Sequence, residues 1–171
     1  MKVALSSLLK LAMGLALLGA LSGCGLRPVY AGGASGVVAQ GLSQVEVAPI
    51  QGREGWLVRN ALLDRLGSQQ SGGSPRYRLD ILLDDQLEGL GLLTDDTIGR
   101  ERRTLRARYQ LVDIATGEIL VDATAGSDAG IDVVSSEFAT IAAEQTALEN
   151  LAQQVADRIV TRLSLTLRDR S

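Results

Sequence analysis

The sequence predicts an α+β fold in which two helices pack on one face of a four-stranded mixed sheet. Several stretches alternate apolar and polar residues, as half-buried strands do, and the last third of the chain repeats apolar residues every three or four positions, as an amphipathic helix does. The predicted order is strand, helix, three strands, helix. The chain has 171 residues, enough for one domain of this kind.

Residues 1–23 have the pattern of a secretory signal peptide rather than of a folded element. Lys2 and Lys10 precede the apolar run Leu11–Leu21, and the small residues Ser22 and Gly23 follow it. The apolar run has 11 residues. A helix that spans a bilayer needs roughly 20, so the sequence disfavours a transmembrane anchor.

Cys24 follows this segment and is the only cysteine of the chain. The stretch Leu21–Cys24 resembles the lipobox of bacterial lipoproteins, in which the cysteine thiol is lipidated and the chain is cut before it. We therefore predict a covalent N-acyl diacylglyceryl lipid on Cys24, which attaches the protein to a membrane. Gly25, in place of an aspartate, favours the outer membrane by analogy with enteric sorting rules.

The mature chain is expected to begin with a flexible tether. Residues 24–42 are rich in small residues and form the lipidated cysteine and tether, and residues 43–168 form a single domain. Within that domain, Ser43–Ile50 alternates as a short strand. Gly55–Leu66 has helical spacing, and Gly67 is placed to end that helix.

The middle of the chain predicts three strands. Tyr77–Leu83 and Arg102–Val112 alternate apolar and polar residues, and a tight turn at Thr116–Gly117 leads into a partner strand at Glu118–Ala125. Leu87–Asp96 is irregular, with Gly89 and Gly91, and is predicted as a long loop or an excursion at the end of a strand. Gly126–Asp132 is predicted as a loop. Glu137–Leu165 then forms one long amphipathic helix.

The composition excludes several classes of chemistry. The chain has no histidine and one cysteine, so imidazole-based catalysis, a Cys/His zinc site and an internal disulfide are all ruled out. Asp84–Asp85 and Asp95–Asp96 lack the periodicity of a calcium loop, so no metal site is expected. We predict no catalytic residues and no enzyme activity. After residue 23 the net charge is −5 and aromatic residues are few, which argues against nucleic-acid binding.

Arginine supplies every positive side chain after residue 23, and five arginines fall within nine positions: Arg100, Arg102, Arg103, Arg106 and Arg108. In an extended strand Arg100, Arg102, Arg106 and Arg108 share one face and span about 26 Å. Such a strip is a candidate for binding phosphate groups through charge-assisted hydrogen bonds. The alternative is a set of cross-strand ion pairs with acids of the neighbouring strand, Asp80, Asp84, Asp85 and Glu88. Trp56, the only tryptophan, is expected in the core, with an interface as the alternative.

A family resemblance covers essentially the whole mature chain. The opening Cys24–Tyr30, with the sequence CGLRPVY, resembles that of the LPS-assembly lipoprotein LptE family, although Leu26 stands where an aromatic residue is frequent. Trp56–Leu62 looks like the first helix of that family. The strand order, the run RARYQL at 106–111 and the long helix from Phe138 also agree.

The resemblance implies the same fold of two helices on a four-stranded sheet, together with a biological role. It implies an outer-membrane lipoprotein, facing the periplasm, that plugs the lumen of an LptD-type β-barrel and assists delivery of lipopolysaccharide (LPS) to the outer leaflet. The arginine strip then has a third interpretation, as a polar surface against the barrel lumen. The implied partners are the barrel, LPS and the outer membrane, with no cofactor besides the lipid. An adaptor of another envelope machine, such as an ABC-type lipid-transport auxiliary or a secretin pilot, is the alternative, and a small carboxylate-based hydrolase is a third.

Overall fold

The computed structural model describes residues 36–67, 74–92 and 98–169. Seven elements follow one another in these residues: α1 (Val37–Ser43), β1 (Val45–Val47), α2 (Gly52–Leu66), β2 (Tyr77–Leu92), β3 (Ile98–Asp113), β4 (Ile119–Asp132) and α3 (Glu137–Arg168). The predicted signal peptide and Cys24 lie outside the described residues.

The four strands form one sheet in the order β1-β2-β3-β4. β1 pairs with β2 in parallel, and β2–β3 and β3–β4 pair antiparallel, so the sheet is mixed. The register aligns Leu79 with Leu111 and Leu111 with Val121, which places their side chains on the same face. The predicted α+β fold with a four-stranded mixed sheet is confirmed.

The core lies between that face of the sheet and the helices. Strand residues with odd numbers point inward, so Leu79, Leu105 and Leu111 are fully buried there. α3 contributes a stripe of buried side chains at spacings of three and four, which are Leu148, Leu151, Val155, Ile159, Leu163 and Leu167. α2 packs beside α3, and Arg65 forms an ion pair with Asp157 across the two helices. Burial of this apolar surface is the main stabilising term of the fold.

The predicted tether is wrong over its last residues, because α1 lies within the segment assigned to it. Val38 and Leu42 are one helical turn apart and are both buried in the core. Leu167, near the end of α3, lies 3.5 Å from the position that a Cβ on Gly41 would take. Burial of these two apolar side chains against α3 stabilises a helix that is too short to be stable alone.

The strands are longer than the sequence predicts. β2 continues through Glu88 to Leu92, β3 already begins at Ile98, and β4 continues to Asp132. The predicted loop at 126–132 is therefore wrong. Of the two options for 87–96, the described residues 87–92 continue the strand rather than form a loop. Glycines and inward-facing charged residues interrupt the apolar alternation in these stretches. Backbone pairing nevertheless continues, and Leu92 still faces Ile98.

The helix boundaries agree more closely with their predictions. Gly67 has φ 65°, a left-handed conformation that favours glycine, and its N–H donates to the carbonyl of Leu63, which ends α2 as expected. α3 begins at the predicted Glu137 and extends three residues beyond the predicted Leu165. Among the described residues, no helix combines the length and apolar character needed to cross a membrane.

Candidate ligand-binding surface

The side of the sheet that faces away from α2 and α3 is here called the open face. Even-numbered residues of β2 and β3 project to it, and on β4 it carries Asp122, Thr124, Asp128 and Asp132. The structure places the four arginines singled out from the sequence on this face of β3, the central member of the three long strands: Arg100, Arg102, Arg106 and Arg108. Acidic residues of β2 and β4 flank this basic row on both sides.

Two of these arginines are neutralised by β4. Arg100 forms an ion pair with Asp132 at 3.0 Å, and Arg108 forms one with Asp122 at 3.2 Å. Gln110 also donates to Asp122, at 2.9 Å. Hydrogen bonds from Arg108 and Gln110 lower the pKa of Asp122, and the bond to Asp122 raises the pKa of Arg108. Asp122 therefore remains ionised at neutral pH and binds Arg108.

The other two arginines have no such partner. The register sets Arg106 opposite Asp84 and Arg102 opposite Glu88, but neither guanidinium forms a hydrogen bond or ion pair with another residue of the described ranges. Asp84 instead accepts hydrogen bonds from the amide of Gln86, at 3.1 and 3.2 Å. The predicted face thus contains two arginines in ion pairs and two whose donors are available to a ligand.

Arg103 belongs to the opposite face, as its odd number requires. Its guanidinium donates two hydrogen bonds to Asp85 on β2, at 2.9 and 2.5 Å, and a third to the backbone carbonyl of Glu144 on α3, at 3.2 Å. The side chains of the pair are only 17% and 16% exposed. The bond to Asp85 is the main reason why the pKa of Arg103 is raised. The predicted cross-strand ion pair is therefore formed here, in a structural position.

Two shallow grooves adjoin on the open face. One has a volume of about 530 Å³ and is lined by Asp84, Arg106, Arg108 and Asp128, among others. The other, about 560 Å³, lies toward β1 and is lined by Pro49, Asp80, Leu82 and Gln110, with Arg108 shared between the two. Leu82 stands between them with 75% of its surface exposed. The open face therefore presents charged side chains in both grooves, with the exposed side chain of Leu82 between them.

Sequence reasoning missed two further arginines next to this surface. Arg158 and Arg162 lie one turn apart on α3, and Arg158 donates a hydrogen bond to the carbonyl of Gly126 on β4. Arg158 thereby lines the groove of about 530 Å³, together with Arg106. A spacing of four in a helix signals that the two side chains share a face, but only the tertiary packing shows which strand they meet.

Large apolar side chains are exposed in the second turn of α2 and around the start of α3, and they are here called the apolar end: Trp56, Val134, Phe138 and Ile141. Trp56 is 63% exposed and Phe138 is 88% exposed. The expectation that Trp56 lies in the core is wrong, because its position in α2 faces away from both the sheet and α3.

Acidic side chains do not assemble into a metal-binding arrangement in the described ranges. No group of three or more His, Cys, Asp or Glu residues there is arranged to hold a metal ion. The acids of the open face are spread along two strands on either side of the arginines. Their geometry suits pairing with cations on β3 or with a polar partner.

Comparison with known proteins agrees with this architecture. The fold resembles the crystal structure of a putative lipoprotein from Caulobacter crescentus, with a TM-score of 0.67, 26% identity, and coverage of 80% of this chain and 98% of that one. A minor lipoprotein from Acinetobacter baumannii matches with a TM-score of 0.56 and 13% identity over 72% of this chain and 92% of that one. The rare lipoprotein B from Shewanella oneidensis matches with a TM-score of 0.53 and 13% identity over 73% of this chain and 95% of that one.

At the level of sequence, no curated protein matches the chain. The family described as lipopolysaccharide-assembly, LptE, matches residues 42–163, which include every strand and most of α3. This match covers well over half of the 171 residues. The chain therefore belongs to the LptE family of lipopolysaccharide-assembly lipoproteins.

Proposed function

We propose that this protein is a lipid-anchored, non-enzymatic subunit of an outer-membrane LPS translocon. In this role it plugs and stabilises an LptD-type β-barrel and offers LPS a polar binding surface. Membership of the LPS-assembly family supports the assignment to that process. The observation that carries the finer proposal is the open face, where Arg102 and Arg106 remain without partners in the described part of the chain.

Contact with LPS is supported by the chemistry of these guanidinium groups. Arginine binds phosphate through two parallel N–H···O bonds, which a lysine cannot form. Arg102 and Arg106 lie four residues apart on one face of β3, about 13 Å along the strand. Phosphate groups carried on one LPS molecule could therefore engage both arginines without first breaking an ion pair.

Location inside a barrel is supported by the polarity of the same face. Alternating acids and arginines cover three strands, and an apolar cover would remove these charges from water at a high energetic cost. The lumen of an outer-membrane barrel is polar and hydrated. A plug with this surface can fill the lumen while its charges stay solvated or paired.

Attachment to the membrane is proposed to occur through Cys24. Replacing this residue, Cys24→Ala, removes the thiol that accepts the lipid, so we expect the precursor to remain uncleaved by the lipoprotein signal peptidase. Metabolic labelling with a fatty acid, followed by gel analysis, measures this directly. Labelling of the variant at the level of the native chain would refute the anchor assignment.

The barrel partner can be tested by affinity purification from detergent-solubilised outer membrane. We expect a large β-barrel protein to co-purify with the lipidated chain in a fixed stoichiometry. Recovery of the chain alone would contradict the plug role. Recovery of a different envelope complex would replace it with the adaptor function.

LPS binding can be tested with two pairs of variants on the same strand. We expect Arg102→Gln with Arg106→Gln to weaken LPS binding by at least about tenfold, because two charge-assisted hydrogen bonds are lost. The matched control, Arg100→Gln with Arg108→Gln, makes the same charge change at arginines already bound to Asp132 and Asp122. Equal losses in both pairs would show a general charge effect and contradict specific binding by Arg102 and Arg106.

A further inference from the structure

A third groove lies at the outer edge of β4, between that strand and α3. Its volume is about 380 Å³, and the side chains that line it include Tyr109, Thr124, Arg158 and Arg162. None of the described residues that line it carries a carboxylate, in contrast to the two grooves of the open face, which contain Asp80, Asp84 or Asp128. The edge groove is therefore basic where the neighbouring grooves carry mixed charge.

The positive charges of the two arginines in this groove, Arg158 and Arg162, repel each other. They lie four residues apart on α3, a spacing at which like charges destabilise a helix. Arg158 donates one N–H to the carbonyl of Gly126. Within the described ranges, its other donors and all those of Arg162 form no hydrogen bond or ion pair. Asp128 lines the neighbouring open-face groove together with Arg158, but no described carboxylate forms an ion pair with either arginine.

The groups around the arginines leave the site positive. Asp157, the neighbour of Arg158 in sequence, points to α2 and pairs with Arg65. Asp122 on β4 is bound to Arg108 and Gln110 on the other face of the sheet. The floor holds the phenol of Tyr109, whose pKa burial raises, so it stays neutral at physiological pH.

The shape of the groove depends on small residues of β4. Ala123, Ala125 and Gly126 form its wall and leave room above the strand. A Cβ on Gly126 would lie 3.1 Å from the Cγ of Arg106 and 3.3 Å from the carbonyl oxygen of Leu105. Glycine at this position therefore leaves room for Arg106 of the adjoining strand, and its carbonyl accepts the hydrogen bond from Arg158.

We propose that the groove between β4 and α3 binds a phosphate monoester group through Arg158 and Arg162. A phosphate accepts several hydrogen bonds at once, and its negative charge offsets the positive charges of the two guanidinium groups. Thr124 and Tyr109 are also among the residues that line the groove. The site stands on residues other than Arg102 and Arg106, and it does not require the proposed function to be correct. The phosphate can belong to a lipid headgroup or be free.

The test is a titration of the mature, lipidated chain in nonionic detergent micelles with inorganic phosphate, followed by NMR at the backbone amides of Thr124, Ala125 and Gly126. We expect saturable shifts of these amides. In the variant Arg158→Gln with Arg162→Gln, we expect the affinity to fall at least about tenfold. The control Arg53→Gln with Arg168→Gln makes the same charge change outside the groove and should retain native affinity.

Two further measurements keep the test decisive. Because Arg158 donates a hydrogen bond to Gly126, its replacement can disturb the edge of the sheet. Arg162 forms no hydrogen bond or ion pair with another described residue. The variant Arg162→Glu should therefore fold normally and lose phosphate binding. Absence of saturable shifts in the native chain, or unchanged affinity in Arg162→Glu, would overturn the proposal. Purified LPS and vesicles that contain phosphatidic acid, a lipid with a phosphate monoester, serve as further probes. Tighter binding of either one than of inorganic phosphate identifies the phosphate carrier, and equal binding assigns a free phosphate. Failure to recover a β-barrel in the purification described above would leave this titration unaffected.

Discussion

Arginines that are close neighbours in the sequence occupy three different surroundings in this protein. Arg103 faces inward and bonds to Asp85, Arg108 faces outward and bonds to Asp122, and Arg106 faces outward without a partner among the described residues. The alternation of a strand decides the face, and this part was predictable from the residue number alone. Pairing was not predictable, because Arg108 reaches diagonally to Asp122 while the carboxylate opposite Arg106 bonds to Gln86.

The inward pair joins the far part of the sheet to α3, so its loss should destabilise the fold. We expect Arg103→Ala to lower the free energy of unfolding by about 2–3 kcal/mol, because Asp85 is left partly buried without its cation. Urea unfolding followed by circular dichroism measures this change. Arg102→Ala, one residue away on the open face, should change it by less than about 0.5 kcal/mol. Equal losses in the two variants would contradict a structural role specific to Arg103.

The ion pair between Arg108 and Asp122 should lower the pKa of the Asp122 carboxyl. Because Arg108 and Gln110 stabilise the ionised form of Asp122, its carboxyl should titrate below the ordinary value of about 3.9. The pair then stabilises the fold above the unfolded-state pKa, and this contribution is lost as the pH falls through the lower folded-state pKa. Carboxyl-carbon NMR should show the midpoint of Asp122 rising in Arg108→Gln and staying in place in Arg102→Gln. An unchanged midpoint in Arg108→Gln would be inconsistent with this ion pair.

Among the elements, those with long regular patterns were predictable and those with broken patterns were not. The repeating apolar stripe of α3 and the stop at Gly67 gave correct helices. α1 was missed, because seven residues with glycine and serine among them show no period. The outer parts of the strands were missed for a related reason: their inward positions include Asp85, Gly89 and Ser127 rather than large apolar residues.

α1 can be tested as part of the core rather than part of a tether. Leu42 is 3% exposed and packs in the same cluster as the end of α3. We expect Leu42→Ala to lower the free energy of unfolding by about 2–3 kcal/mol, because it leaves a cavity at the end of the core. Gln44→Ala, an exposed neighbour, serves as the control. Equal free energies of unfolding in the two variants would contradict the packing of α1 in the core and favour a flexible tether.

At the scale of the whole molecule, the fold separates two kinds of surface. The open face presents a charged row between acidic strands, and the apolar end presents Trp56 and Phe138. The sequence predicted the first surface, since alternation fixes which arginines share a face. It did not predict the second, because the helical pattern of α2 alone does not indicate how far α3 covers Trp56. Arg158 and Arg162 were missed for the same reason, as they meet β4 only in the folded chain.

The apolar end is expected to contribute to association with the proposed barrel, since exposed tryptophan and phenylalanine are frequent in the centres of interfaces. We expect Trp56→Ala with Phe138→Ala to reduce the recovered barrel severalfold while the free energy of unfolding changes by less than about 0.5 kcal/mol. Ile114→Ala with Ile119→Ala, at exposed apolar positions around the β3–β4 turn, is the control. Unchanged recovery in the first pair would exclude this end from the interface.

The shortness of β1 has a consequence for the behaviour of the protein at high concentration. β1 covers β2 only from Tyr77 to Leu79, so along the rest of β2, and along all of β4, the described strands leave one border without a neighbour. Unpaired borders of this length are templates for the growth of intermolecular fibrils. Asp84, Glu88 and Asp128 lie on these border strands, and their mutual repulsion keeps two molecules from joining there. The acids that flank the arginines are therefore also expected to act as solubility gatekeepers.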